Sequence, residues 1–226
     1  MQRIQALWRN NRAFLLLIGL MFVFRSAVAD WNHVPSSSMN PTLVVGDRVL
    51  VNKLAYSVRV PFTLRHMVRW SEPAPGDVIT FDSPQDGLNL IKRVVAVGGD
   101  VVQMRDNMLS INGRLVPITL VEASRWIPSE FGTLDTEIWQ EQIGNAQFEI
   151  ARLPAMNRSR EFGPVTVPAH HVMVLGDSRD NSNDSRYIGS IDLSRVTGKA
   201  WRIAFSLDYE NYYLPRAKRW WQGLQS

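Results

Sequence analysis

The chain contains no cysteine, so it has no disulfide, no thiolate metal site and no cysteine nucleophile. That absence leaves the compartment open, because exported proteins can also do without cysteine. Histidine is scarce, at four in 226 residues, which leaves little room for a His-rich metal centre; no metal or cofactor is expected. No G-x-S-x-G elbow is present to carry a serine–histidine triad. His170 and His171 stand just before a strand pattern, and His66 lies in a loop-like stretch. Lysine is the next scarcity: of 25 basic residues only Lys53, Lys92, Lys199 and Lys218 are lysines. Arginine supplies the fixed positive charge here, so each lysine raises the question of whether its ability to lose a proton is used. Against 21 acidic residues the net charge is +4, and no Lys/Arg run is interleaved with stacking aromatics, so no nucleic-acid partner is expected. A composition of 45% hydrophobic and 20% charged residues excludes disordered and low-complexity classes.

Only one long apolar run is present, Ala13 to Phe24, preceded by Arg3, Arg9 and Arg12 and followed by Arg25. Twelve helical residues span about 18 Å, whereas a full membrane span takes about 20 residues. Three readings compete: a secretory signal core, a buried helix and a membrane anchor. Ala27-Val28-Ala29 suits a signal cleavage site, but Arg25 stands between it and the apolar core. A buried helix leaves the upstream arginines unexplained. The anchor is favoured, with Arg12 and Arg25 snorkelling and Ala27, Val28 and Trp31 extending the run to the interface. Residues 1–12 are then cytoplasmic, 13–29 the single anchor, and 30–226 a domain on the far side.

From Val34 onward the pattern is strand and turn. Strands are expected at Asp47–Tyr56, Asp77–Phe81, Leu88–Val97, Val101–Arg105, Met108–Ile111, Leu115–Ile118, Val165–Val167, Val172–Leu175 and Gly198–Phe205. Asp106-Asn107 and Asn112-Gly113 mark hairpins. Residues 119–162 are irregular and read as an insertion of strands with room for one short helix, within a wider inserted subdomain at about 101–168. With no βαβ alternation the class is mainly β. The tail sets Tyr209, Tyr212, Tyr213, Trp220 and Trp221 beside Arg216, Lys218 and Arg219, which suits either a membrane interface or packing on the domain.

Three segments carry candidate chemistry. Pro35 to Leu43 is a hydroxyl-rich turn held by two prolines. In Asn89 to Val97, strand alternation puts Lys92 on a face with Leu88, Leu90, Val94 and Ala96, and Arg93 on the other. Burial disfavours a charged amine, so such a lysine can be neutral at working pH; the alternative is a snorkelling lysine at a sheet edge. Gly176 to Arg186 is a polar loop after an apolar strand. It fails as a calcium loop, with Ser185 where Gly and Ile191 where Glu are needed. Internal pairing of Asp177, Asp180 and Asp184 with Arg179 and Arg186 would make it a rigid platform for Ser182.

In order, spacing and wording these segments, with Gly46-Asp47, Lys53 to Tyr56, Pro75 to Phe81 and Gly99-Asp100, resemble type I signal peptidases. These are serine/lysine membrane proteases that cut signal peptides from exported proteins. Phe24-Arg25-Ser26 also resembles the family, and the likeness covers roughly residues 22–205. It implies a β-barrel or sheet catalytic domain with an inserted β-rich subdomain and one N-terminal membrane helix. It implies Ser38 as nucleophile, Lys92 as general base, Ser36 as oxyanion donor beside the Ser38 N–H, and Ser182 as the residue that orients the lysine. Asp184 and Arg186 would pair to hold the loop, with Asp177 and Arg179 supporting it. An extended substrate would lie along Asn89–Lys92 and near Asn32–Pro35, with Val34, Met39, Leu43, Leu90 and Ile91 as pocket walls and Ala-x-Ala as the favoured cut site. The implied partners are signal-peptide-bearing preproteins and membrane lipid, in a monomer at the bacterial inner (plasma) membrane with its catalytic domain outside the cytoplasm. Departures are Ser37 where the family usually has Gly, Leu90 where it often has Tyr, and one membrane segment where Gram-negative members often have two. Rivals are a specialised relative serving one secretion or conjugation substrate, a non-catalytic envelope binding protein, and a self-cleaving repressor, which would need a DNA-binding module.

Overall fold

A computed structural model describes residues 2–60, 66–154, 156 and 161–224. Met1, residues 155 and 157–160 of the expected insertion, and the last two residues of the tail lie outside the described residues, as do the side chains of Arg3 and Arg9. The class is mainly β. The largest sheet runs in the order 29–33, 47–52, 196–208, 78–82, 89–97, 171–175 and 191–192, with 214–215 paired to 196–208. This sheet curls. Asn32 Nδ2, on the first strand, donates to Asn89 Oδ1, four strands away, at 3.3 Å.

The curl is compatible with the sequence because the middle strands are apolar on both faces. In Asn89–Val97 every residue from Lys92 to Ala96 is buried, as is every residue from Val78 to Phe81 in Val78–Asp82. A strand covered on both sides reads as a continuous apolar run instead of an alternation. One side packs Val34, Met39, Leu43, Val49, Val51, Val78, Ala200, Ile203 and Leu224 together. The other packs Ile79, Phe81, Val94, Val174 and Ile191 with Tyr56.

Residues 101–166 contribute two smaller sheets. Asp106-Asn107 and Asn112-Gly113 have positive φ and turn tight hairpins between 101–105, 108–111 and 114–115, as their sequence demands. Residues 118–152 form three long antiparallel strands, Ile118–Ser129, Gly132–Ile143 and Ala146–Arg152, with no helix among the described residues. The short helix allowed for there is therefore absent from them. Register shifts at Leu120/Glu122 and Glu122/Arg125 break the period-two pattern that would have marked the first strand.

At the N-terminus Gln2–Ala27 is one 26-residue helix, starting well before the apolar run. Phe14, Leu15, Leu16, Leu17, Leu20, Met21 and Phe22 are exposed, so it is no buried core helix. Arg9 and Arg12 interrupt its apolar character, and no helix of the described residues is long and apolar enough to cross a membrane. The expected span is thus not supported by the hydropathy of the helix itself. Its end is tied to the domain: Arg25 pairs with Asp30 at 2.9 Å and lies over Trp31, and Lys53 Nζ reaches both the Arg25 carbonyl and Asp30. At the other terminus Arg219 pairs with buried Asp47 at 2.7 Å, Arg216 with Asp208 at 2.9 Å, and Leu224 enters the core. Tyr212, Tyr213, Trp220 and Trp221 stay exposed.

The insertion is joined to the main sheet by a buried ion pair, Arg179 with Glu141, both side chains 1% exposed. Truncating one partner of such a pair strands the other charge. Glu141→Ala should lower stability to urea unfolding by about 3–5 kcal/mol; a loss below about 1 kcal/mol would mean that Arg179 finds water or another acceptor.

Candidate active site

Three elements converge. Ser38 stands in a single 3-10 turn, Ser37–Met39, between the strands Ala29–His33 and Asp47–Asn52. Met39 is fully buried beside Leu43, which anchors the turn on the core. Lys92 projects from Asn89–Val97, and Ser182 belongs to the loop after His171–Leu175. Lys92 Nζ lies 2.8 Å from Ser38 Oγ and donates to the Ile91 carbonyl at 2.9 Å. Ser36 Oγ lies 3.3 Å from Ser38 Oγ. Ser38 and Lys92 are buried, at 9% and 3% exposure.

Lys92 is thus a buried amine with a serine hydroxyl and a carbonyl as its hydrogen-bond partners. Desolvation lowers its pKa to about 8, opposed by the more remote charges of Asp184 and Asp177. At that value roughly a tenth of the amine is neutral at pH 7 and about nine-tenths at pH 9.

The polar loop is built otherwise than its sequence suggests. Asp184 and Arg186 do pair, at 2.8 Å, and Asp184 also accepts the Gly176 N–H at 2.9 Å. Asp177 does not pair with Arg179. It takes a two-pronged contact from Arg93, at 2.8 and 2.7 Å, and a bond from Thr42 Oγ1. Asp180 accepts from Asn107 Nδ2 at 2.9 Å and from the Leu153 N–H at 2.8 Å. The loop is therefore not self-satisfied. Three of its five charged residues, Asp177, Arg179 and Asp180, are bonded by residues of other elements, whereas Asp184 and Arg186 satisfy each other within the loop. The Ser178 N–H donates to the Ser38 carbonyl at 3.1 Å, joining loop to serine turn.

Ser182 is buried at the same place, but it makes no hydrogen bond to Lys92: its hydroxyl has no partner. Gly176 is required there, since a Cβ would collide with Ser182 Oγ and the Ser38 carbonyl. Among the expected pocket residues, Val34, Met39 and Leu43 are fully packed core residues, whereas Leu90 and Ile91 are half-exposed beside Lys92 and Asn89 is exposed. Leu88 lies outside the strand and is exposed, so it adds nothing to the lysine's apolar face. Of the strand Asn89–Val97, only residues 93–97 pair with the strand at 171–175, which leaves one edge of Asn89–Lys92 without a partner strand. The sequence did not single out Arg93, Thr42, Glu141 or Glu130. Arg93 carried the most signal, as a second cation in an apolar strand. Among the described residues no His hydrogen-bonds Ser38 or Lys92, and no cluster of His, Asp and Glu could hold a metal ion.

A buried amine against a serine hydroxyl, beside a strand edge open to an extended chain, is chemistry suited to a peptidase. Residues 7–205 match the family described as signal peptidase, peptidase S26. The signal peptidase I of Pseudomonas fluorescens is 37% identical over 208 residues, covering 87% of this chain and 72% of that protein. That of Pseudomonas aeruginosa is 35% identical over 209 residues, with the same coverage. A crystal structure of a signal peptidase I from Enterococcus faecalis V583 overlaps 57% of this chain and 97% of its own, at 25% identity and a TM-score of 0.34. This chain belongs to the signal peptidase family, peptidase S26, and is a peptidase.

With four lysines in the sequence, lysine side-chain NMR can isolate Lys92. The resonance that disappears in Lys92→Met should titrate with a midpoint near 8, its neutral form gaining as pH rises. A midpoint above about 10 would mean that the amine is not desolvated.

Proposed function

We propose that this peptidase is a membrane-bound signal peptidase that removes N-terminal signal peptides from exported preproteins, using Ser38 as nucleophile and Lys92 as general base. The observation that carries the reading is the 2.8 Å contact between a desolvated amine and a serine hydroxyl. Neutral Lys92 accepts the Ser38 hydroxyl proton as Oγ attacks the scissile carbonyl. The resulting ammonium returns that proton to the leaving amine, which departs as the mature protein's new N-terminus. Lys92 next takes a proton from water, whose oxygen attacks the ester, and Ser38 Oγ recovers a proton as the signal peptide leaves. The Ser38 N–H and the Ser36 hydroxyl stabilise the oxyanion, which the 3.3 Å spacing of the two hydroxyl oxygens supports. The unpartnered Ser182 hydroxyl supports a role in orienting the lysine, since neutral Lys92 still has an N–H to give. Asp184–Arg186 and Asp177–Arg93 hold the loop that presents it.

The substrate lies extended along the free edge of Asn89–Lys92 and near Asn32–Pro35. Leu90 and Ile91 wall shallow pockets that favour small side chains at the −1 and −3 positions, Ala-x-Ala, with buried Val34, Met39 and Leu43 as their floor. The apolar side chains exposed from Phe14 to Phe22 support lipid contact, with Arg12 and Arg25 at its two ends. The enzyme then works as a monomer at the bacterial plasma membrane, N-terminus inside and catalytic domain outside.

Two experiments test this. Wild type in detergent should cut a preprotein after the −1 Ala, while Ser38→Ala and Lys92→Ala each fall by about a thousandfold or more. Equal cutting by all three would assign the activity to something else, and no cutting by any would favour a binding role or a dedicated substrate. The full chain should also float with phosphatidylglycerol vesicles and stop doing so as Leu16→Asp/Leu20→Asp. Unchanged flotation of the double variant would remove the helix from membrane binding.

A further inference from the structure

The long hairpin of the insertion ends on the serine turn. Its tip is the two-residue turn Glu130-Phe131, and Glu130 Oε2 accepts the Ser37 N–H at 2.8 Å. Asn40 Nδ2 donates to the Pro128 carbonyl at 3.0 Å, from the other end of the same turn. An apolar cluster beneath the tip joins Ile127 and Ile138 of the hairpin to Val44 and Ala151. Ser129 Oγ bonds to the Gly132 carbonyl and the Phe131 N–H, which stiffens the tip. From the opposite side Asn181 Nδ2 donates to Ser37 Oγ at 2.8 Å. Ser37 is fully buried between them.

We propose that Glu130 is a positioning residue for the peptidase reaction: together with Asn181 it clamps Ser37, and so fixes the backbone that aims Ser38. The proposal rests on the reading of Ser38 as nucleophile. N–H groups at the start of a short helical turn have no acceptor within the turn. A carboxylate on the Ser37 N–H holds the first peptide of the turn with a charge-assisted bond and leaves the next N–H, that of Ser38, for the oxyanion. The clamp explains two features. Ser37, standing where glycine is usual in the resembled family, uses its hydroxyl as the second attachment. The insertion, remote in sequence, delivers the first. Glu130 itself is exposed, so it is held by its partner and not by burial.

The test compares wild type, Glu130→Ala, Glu130→Gln and, as a control for disturbance of the tip, Phe131→Ala. Each is assayed for preprotein cleavage, with kcat and KM separated, and for the rate at which a small sulfonyl fluoride modifies Ser38, read by intact mass. Glu130→Ala should lower both kcat and the modification rate by about tenfold, with KM within about twofold. Glu130→Gln keeps a carbonyl acceptor and should restore most of both rates, and Phe131→Ala should match wild type. A Glu130→Ala enzyme at wild-type rates overturns the proposal. So does a rise in KM at constant kcat, which would make Glu130 a substrate contact. Glu130→Gln as slow as Glu130→Ala would show that charge acts and the bond does not. If wild type modifies at Ser38 but cuts no preprotein, the proposed function fails while the modification rates still decide the role of Glu130.

Discussion

The structure depends on keeping one amine dry. A lysine in water is a cation and cannot accept a proton; burial lowers the pKa of Lys92 to about 8, which is what makes the proposed role as base available to it. That requirement accounts for the unbroken apolar strand around it and for the neutral partners at its tip, a hydroxyl and a carbonyl. A carboxylate in direct contact would restore the charge. The nearest acidic groups, Asp177 and Asp184, are instead occupied by Arg93 and Arg186. Adjacent cations on one strand thus have opposite fates: Arg93 stays charged in a two-pronged pair, and Lys92 is left unpaired so that it can titrate.

Burying these charges would be costly without donors and acceptors from elsewhere in the chain. Arg93 binds Asp177 and the Gly76 carbonyl and lies over the Phe148 ring, 4.0 Å from its centroid. Arg179 binds Glu141 of the insertion, and Asp180 binds Asn107 and the Leu153 N–H. The loop behind the serine is therefore a junction at which the main sheet, the small sheet of residues 101–115 and the long hairpin meet. In this geometry the insertion is part of the frame of the candidate active site.

Much of the site was legible because its chemistry is local in sequence. A lysine in an apolar strand, a hydroxyl turn bracketed by prolines and an Asp/Arg loop each announce themselves, and the hairpin turns at Asp106-Asn107 and Asn112-Gly113 follow from residues that tolerate positive φ. What was not legible is who pairs with whom. Arg93 and Asp177 are 84 residues apart, so a short-range reading assigns Asp177 to the nearer Arg179. Strands were expected within 119–162, but their bounds were not legible because the first is bulged and half-exposed, which erases alternation. Glu130 carried no pattern at all, being a single acid in a turn whose meaning comes from the backbone it touches. At the N-terminus the apolar run was visible, but the helix it belongs to begins eleven residues earlier, because Gln, Arg, Ala and Leu continue it without a breaker.

The docking of the tail has a consequence for the order in which this enzyme becomes competent. Leu224 fills the same core as Val34, Met39 and Leu43, and Arg219 holds Asp47 and the Thr42 carbonyl from outside. The turn that carries the serine, near the beginning of the domain, is thus completed by residues made some 180 positions later, the separation between Thr42 and Arg219 being 177. A nascent chain that has not yet reached Arg219 lacks that closing piece. Its serine turn packs into its final place only once residues 219–224 have been made, so folding of this turn cannot run ahead of synthesis of the tail.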